Sequence, residues 1–284
     1  MITIVQALKD ATIVLKKDHR NLSPRLDCEV LLASLLHVDR SFFLIHGNER
    51  IDKEIYFEYQ HYIHRRSQGE PVAYIIQKQE FMGLEFYVDQ RVLIPRADTE
   101  ILVETVIELC QNTKDQAVHI LDVGTGSGVI GLSVANYVPW SKVVLLDISR
   151  DALDVAKLNA KTLHIDNVQF ILGDCLGGIA ANKFHFILSN PPYISTDDIP
   201  KLQREIQKFE PHIALDGGRD GLSYYRRIVR ESKEYLLSGG TVVFEIGYDQ
   251  GEEVMDLFNR EGFKAMEKIK DLAGHDRVIM AKWA

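Results

Sequence analysis

Cysteine is scarce in these 284 residues: Cys28, Cys110 and Cys175 stand far apart, without the spacing of a zinc site or of a disulfide framework. That usage fits a reducing compartment. No apolar run approaches the length of a membrane span, and the start, Met1-Ile2-Thr3-Ile4-Val5, lacks the basic residues and apolar stretch of a secretory leader. A cytoplasmic protein without a membrane partner is expected. Also missing is a cationic body. Residues 1–80 carry 11 Lys and Arg against 11 Asp and Glu, so the whole net charge of −8 falls in residues 81–284. Proteins that hold duplex nucleic acid present a basic face, so direct nucleic-acid binding is not expected, a local patch such as Arg65-Arg66 aside. There is no internal repeat and no low-complexity tract. His61 and His64 share one helix face at a ligand-like spacing, but no third ligand stands near them, and no metal is expected.

What is present is an ordinary globular composition, 46% hydrophobic and 26% charged, in three successive textures. Apolar residues recur at helical spacing from Ile4 to Lys17, from Pro24 to Leu36 (Leu26, Val30, Leu31, Leu35) and from Asp52 to Gln68. These predict a small helical domain over residues 1–72. Gly69 and Pro71 break the pattern, and Tyr74, Ile75, Ile76, Phe81, Leu84, Phe86 and Val88 around Gly83 alternate as a hairpin linker over 73–95. Beyond Leu93-Ile94-Pro95-Arg96 a helix begins with Leu102, Val103, Val106 and Ile107. From His119 onward strands and helices alternate, which predicts a mostly parallel sheet with helices on both faces over 96–284. Strands are read at 119–123, 142–147, 168–172, 184–189, 240–246, 263–269 and 277–281. Helices are read at 128–137, 150–163, 200–208, 222–236 and 250–260.

Two strand ends carry the chemistry. In an open α/β sheet ligands bind at the carboxyl ends of strands. After Leu121-Asp122-Val123 comes Gly124-Thr125-Gly126-Ser127-Gly128, a turn whose glycines admit a ligand close to the main chain and whose following helix offers free N–H groups. A nucleotide-like ligand is expected. Gly126 to Gly131 also matches the dinucleotide fingerprint, so a nicotinamide-dependent oxidoreductase stands as a rival. The earlier Gly124-x-Gly126-x-Gly128 follows the strand end more directly and suits an adenosyl sulfonium. Asp147, ending the next strand, is the expected acceptor for ribose hydroxyls, unless it caps the helix that follows. Asp174, with Cys175, ends the third and faces adenine. The fourth, Phe184 to Ser189, stops at Asn190-Pro191-Pro192-Tyr193. The prolines hold the chain extended, so the Asn190 carboxamide and adjoining carbonyls form a stiff acceptor corner for a planar NH2 group, with Tyr193 as a wall.

Together these motifs resemble a class I S-adenosylmethionine-dependent methyltransferase. Glu70-Pro71-Val72-Ala73-Tyr74-Ile75, Leu93-Ile94-Pro95-Arg96 with Thr99-Glu100, Glu210-Pro211, Ala214-Leu215, Gly217-Gly218, Asp220-Gly221-Leu222, Glu245-Ile246-Gly247 and Asp271-Leu272-Ala273-Gly274 with Asp276-Arg277 narrow the resemblance to the HemK/PrmC family. That family methylates N5 of the glutamine in the Gly-Gly-Gln motif of class I peptide chain release factors. The resemblance implies a seven-stranded Rossmann-like domain behind a helical substrate-recognition domain, with S-adenosylmethionine as donor and S-adenosylhomocysteine as product. It implies a donor site of Gly124, Thr125, Gly126, Ser127, Gly128, Asp147, Asp174, Cys175 and Asn190. The substrate site would be Asn190, Pro191, Pro192, Tyr193 and Arg96, with Asn190, Pro191 and Tyr193 catalytic. Two positions depart from the family pattern, Ala97 in place of proline and Cys175 in place of an aromatic. A monomer is expected. The alternative is a nucleic-acid methyltransferase acting on the exocyclic amine of adenine or guanine, which offers the same planar NH2.

Overall fold

The computed structural model describes residues 2–18, 21–111, 113, 117–179 and 183–284. The chain divides into two units, Met1–Lys78 with Gln203–Phe209, and Gln79–Leu202 with Glu210–Ala284.

The first unit is helical. α1 (Ile4–Leu15) is capped by the Thr3 side chain, and α2 (Pro24–Leu36) starts on Pro24, whose ring fixes a helical φ where no N–H is needed. α3 (Phe42–His46) is short, α4 (Lys53–Ser67) is capped by Asp52, and α5 (Val72–Ile76) follows Pro71. Their inner faces bury Leu8, Leu31, Leu32 and Tyr59, and the Tyr59 hydroxyl donates to the Cys28 carbonyl at 3.1 Å. α5 corrects an expectation, since Tyr74, Ile75 and Ile76 had the texture of a strand. So short an apolar run does not distinguish the two periods, and Gln77, with φ +57°, stops the helix after one turn. One charged cluster is enclosed. Arg66 is 8% exposed; its guanidinium meets Asp27 Oδ2 and Glu205 Oε1, each at 2.7 Å, and the Glu70 carbonyl at 3.1 Å. Glu205 belongs to the Gln203–Phe209 segment, which joins this unit from far along the sequence.

The second unit opens on the hairpin β1 (Lys78–Phe81) and β2 (Leu84–Tyr87), then α6 (Glu100–Gln111). There follow β3 (Val118–Val123), α7 (Val129–Tyr137), β4 (Ser141–Asp147), α8 (Arg150–Thr162), β5 (Val168–Leu172) and β6 (Phe184–Ser189). α9 (Arg204–Phe209) lies in the first unit; α10 (Ser223–Tyr235), β7 (Leu236–Glu245), α11 (Gly251–Arg260), β8 (Lys264–Lys270) and β9 (Asp276–Lys282) complete the second. The seven long strands lie in the order β5-β4-β3-β6-β7-β9-β8, parallel except for β9, which runs against both neighbours. This is the seven-stranded, mostly parallel sheet expected.

Successive strand residues enter two different cores, which is why the strands read as unbroken apolar runs. Ile120, Leu188 and Val243 pack with Leu102, Val106 and Leu132 on one face, while Leu121, Ile187 and Phe244 pack with Tyr225, Ile228 and Phe258 on the other. Two further elements depart from expectation by more than two residues. β7 begins four residues early, through Ser238-Gly239-Gly240, because Gly239 N–H donates to the Trp283 carbonyl and Trp283 N–H to that of Gly240, both at 2.8 Å. That ladder overrides the weak strand preference of glycine. The helix read over 200–208 is split into a 3₁₀ turn, Ile199–Lys201, and α9, by an extended Leu202.

Candidate active site

From β3 the chain winds outward to β4 and β5, then returns to place β6 on the other side of β3, so the sheet order reverses between β3 and β6. At such a point the loops leaving two adjacent parallel strands diverge and a crevice opens. The loop after β3 is the glycine turn. Gly124 and Thr125 N–H both donate to the Leu146 carbonyl, at 2.8 and 3.0 Å, which pins the turn to the end of β4. Gly124 and Gly126 adopt φ of +72° and +56°, and a Cβ built on either meets nothing within 4 Å. Glycine is used here for backbone shape, and the space above both residues stays open.

The turn is braced by two carboxylates. Asp147 Oδ2 accepts from Gly126 N–H at 2.9 Å and Oδ1 from Ser149 N–H at 2.8 Å. The cap of α8 is Ser149, whose hydroxyl accepts from Ala152 N–H, so Asp147 is not the helix cap. From below, Asp122 Oδ2 accepts from the Thr125 hydroxyl at 2.5 Å and Gly131 N–H at 2.9 Å, while Oδ1 has no partner among the described residues. Burial pushes the Asp122 carboxyl up to about 7, against an ordinary 3.8. A carboxyl raised on folding stabilises the fold fully below its unfolded pKa, and that contribution is lost as pH rises through about 7. Asp122→Asn should therefore flatten the decline of stability between pH ~4 and ~7, removing a swing on the order of 4 kcal/mol. Melting temperatures of the two proteins across that range check it; parallel pH profiles would contradict it.

Across the crevice, the Ser189 hydroxyl donates to the Val123 carbonyl at 2.7 Å and ties the end of β6 to that of β3. The next residue, Asn190, points its Nδ2 at Thr99 Oγ1 (3.3 Å), and Thr99 in turn donates to Glu245 Oε2 at 2.6 Å. The corner is held from behind by contacts too tight for a side chain. A Cβ on Gly221 would come within 2.3 Å of the Tyr193 carbonyl oxygen, and one on Gly217 within 2.7 Å of that of Pro192. Gln250 Nε2 also donates to the Tyr193 carbonyl, at 3.0 Å.

One cleft is lined by Gly124, Gly126, Asp147, Asp174, Cys175, Asn190, Pro191 and Pro192, so the glycine turn and the Asn-Pro-Pro corner face the same space. Five residues expected in the site are not on its walls. Thr125, Ser127 and Gly128 lie beneath the turn: Thr125 on Asp122, Ser127 with its carbonyl on Asn159 Nδ2 at 2.9 Å, and Gly128 over Leu132. Arg96 is paired with Glu210 Oε1 at 2.5 Å, whose other oxygen accepts from Ile94 N–H at 3.4 Å. Tyr193 lines a neighbouring cavity with Asp220 and Gln250. Its hydroxyl is pushed up to about 12, by burial first and by Glu245 second. Asp174 is on the wall, and both its oxygens accept from Arg227 Nη1 at 2.8 Å.

Of the other wall residues, Arg91, Val92, Ile148, Ser149 and Ile213 carry no motif, whereas Leu93, Pro211 and Ala214 lie in stretches that mark the family resemblance without a site role attached to them. All of them line the cleft from loops far apart in the chain. Glu245 had a signal: an acidic residue closing the apolar strand Val242-Val243-Phe244 ends up 1% exposed and needs partners.

The chain matches the PrmC N-terminal domain over residues 6–76 and the methyltransferase small domain over residues 97–209. A release factor glutamine methyltransferase of Clostridium acetobutylicum is 43% identical over 281 residues, 98% of either chain. One of Coxiella burnetii is 37% identical over 278 residues, 97% of this chain and 99% of that one. Among solved structures, a methyltransferase from Pyrococcus furiosus superimposes with a TM-score of 0.52 at 16% identity, over 71% of this chain and 90% of that one, a likeness of fold. No helix among the described residues is long and apolar enough to cross a membrane. With likeness of this degree running almost end to end, and a methyltransferase fold beneath it, this chain belongs to the release factor glutamine methyltransferase family.

Proposed function

We propose that this protein transfers a methyl group from S-adenosylmethionine to N5 of the glutamine in the Gly-Gly-Gln motif of class I peptide chain release factors. The observation that carries the reading is the pairing, in one cleft, of an open glycine turn with a carboxamide whose nitrogen is already engaged. The residues fit the donor. A Cβ would intrude into the space above Gly124 and Gly126, and Asp147 keeps an acceptor lone pair beyond its bonds from the Gly126, Ile148 and Ser149 N–H groups, as a ribose hydroxyl requires. Gly124, Gly126 and Asp147 would hold it, with Asp174 and Cys175 at the adenine end; Thr125, Ser127 and Gly128 act by bracing the turn. When bound, the donor supplies an electrophilic methyl on a positively charged sulfur.

An amide nitrogen is a poor nucleophile because its lone pair is delocalised into the carbonyl. Asn190 Oδ1 and the Pro191 carbonyl accept its two N–H bonds, which orients the nitrogen and draws electron density onto it; orientation and preorganised acceptors of this type lower a barrier by several kcal/mol. Pro191 and Pro192 keep the corner stiff. The apolar walls, with Val92, Leu93 and Ile213, limit the water that would compete for the same acceptors. Tyr193 acts from behind through the bonds on its carbonyl, and Arg96 through Glu210.

The test is incubation with labelled S-adenosylmethionine and a purified release factor. Label is expected in the wild-type factor and absent when the glutamine of its tip is alanine. Equal labelling of the two, or labelling of an adenine- or guanine-containing oligonucleotide in preference to both, would overturn the assignment.

A further inference from the structure

We propose that Thr99 and Glu245 are positioning residues that determine which end of the Asn190 carboxamide meets the substrate, an inference that rests on the methyl-transfer reading above. A carboxamide has nearly the same shape with its oxygen and nitrogen exchanged. The two orientations are chemically opposite, because only the oxygen accepts. An NH2 group offered to a substrate NH2 group would place donor against donor.

The hydrogen-bond chain resolves the choice. Thr99 is 2% exposed and Glu245 1%, so water does not mediate between them. The Thr99 hydroxyl has one proton. It lies 2.6 Å from Glu245 Oε2 and 3.3 Å from the Asn190 nitrogen. Donation to a carboxylate is the stronger of the two bonds, so the proton goes to Glu245 and leaves Thr99 only lone pairs for Asn190. Asn190 must then present Nδ2 to Thr99 and turn Oδ1 away, and no donor among the described residues reaches that oxygen. The charge on Glu245, which touches Thr99, is thereby converted into acceptor character at the cleft wall.

This logic reverses if Glu245 takes up a proton. It then donates to Thr99, Thr99 donates to Asn190, and the carboxamide turns over. Several groups face Glu245. The Thr99 hydroxyl, then Arg277 from β9 and, directly, the Asn190 carboxamide favour its ionised form, while Asp98, ahead of α6, opposes it. Arg277 is shared with Asp98 at 3.1 Å and Asp271 at 3.2 Å. The Tyr193 ring lies nearby, and from α10 the Tyr225 hydroxyl donates to the Glu245 backbone carbonyl at 2.8 Å. Burial outweighs these influences and holds the Glu245 carboxyl up at about 7. Turnover should therefore rise with pH through the neutral range.

Three variants test the relay: Thr99→Val, Thr99→Ser and Glu245→Gln. Thr99→Val and Glu245→Gln are expected to lower kcat about 100-fold, the scale that misplacing a reacting group costs. Thr99→Ser, which keeps the hydroxyl, should restore most of it. The neutral-range rise in kcat should vanish in Glu245→Gln, while the Kd for S-adenosylhomocysteine is unchanged in all three. A merely structural role would weaken that binding and leave the pH profile alone. Glu245→Gln turning over like wild type with the same pH profile would overturn the proposal. A second readout needs no substrate: the side-chain amide NMR signals of Asn190 should titrate near neutral pH in wild type and not in Glu245→Gln. Signals that ignore pH in wild type would overturn the relay, whereas wild-type protein that labels no release factor at any pH would sink the methyl-transfer reading and leave NMR to decide the relay.

Discussion

Asn190→Ala lowers kcat for release-factor methylation by about 100- to 1,000-fold, the range seen when one preorganised hydrogen-bonding group is removed from a transition-state site. The Kd for S-adenosylhomocysteine should change by less than about fivefold, since alanine removes no contact to the glycine turn or to Asp147 and one hydrogen bond is worth about 1 kcal/mol. The two measurements together separate clamping from folding. Alanine leaves the Pro191 carbonyl as the remaining acceptor, so the substrate nitrogen loses its second anchor and can rotate away from the methyl. It also leaves Thr99 with only Glu245 as a partner, which does not disturb their bond. Asn190→Asp should do no better. Its carboxylate would confront Glu245 across a single Thr99 proton, and one of the two acids would have to stay protonated or move apart. Near-normal turnover by Asn190→Ala, measured by label transfer beside calorimetric binding of S-adenosylhomocysteine, would remove the clamp from the mechanism.

Arg66→Met destabilises the helical unit by about 3–5 kcal/mol, the cost of leaving one side of a buried ion pair unmatched. Methionine fills much of the arginine stem's volume, so the loss is chiefly electrostatic. Asp27 would keep bonds from Asn21 Nδ2 at 2.9 Å and the Ser23 hydroxyl at 3.2 Å, but its charge would have no counter-ion. Urea unfolding followed by circular dichroism should show the lower midpoint in the transition that melts this unit. The double variant Arg66→Met with Asp27→Leu should recover much of the loss, because an apolar pair of similar volume does not need the desolvation of either charge to be offset. If the single variant unfolds at the wild-type midpoint, the guanidinium is not holding the unit together.

How much could be read from the amino-acid order depended on whether a residue's partners were local. The strands were legible because each is an apolar run closed by a polar or turn-forming residue: Val123 before Gly124, Leu146 before Asp147, Ser189 before Asn190-Pro191. The site was legible at the same points, since a glycine, an acid or a carboxamide at a strand end is placed on the crevice by topology alone. Residues whose meaning comes from across the fold were not. Thr99 and Glu245 are 146 positions apart, and no periodicity joins them. Tyr193 follows two prolines, but which cavity its ring enters is decided by where Gly217 and Gly221 allow the backbone to approach. Arg96, which the family resemblance puts in the substrate site, is held by Glu210, 114 positions away. The strand through Gly239-Gly240 was shortened for the same reason, because its ladder is completed by Trp283 near the chain's far end.

The helical unit is assembled from two stretches separated by more than a hundred residues, and that order matters during synthesis. A nascent chain that has just emerged past Lys78 possesses Arg66 and Asp27 but not Glu205, so the charged cluster lacks one of its two acids until the ribosome has also extruded Gln203–Phe209. The amino-terminal helices must therefore wait, incomplete, while most of the parallel sheet is being made, and fragments ending at Lys78 should be poorer folders than their helical propensities suggest.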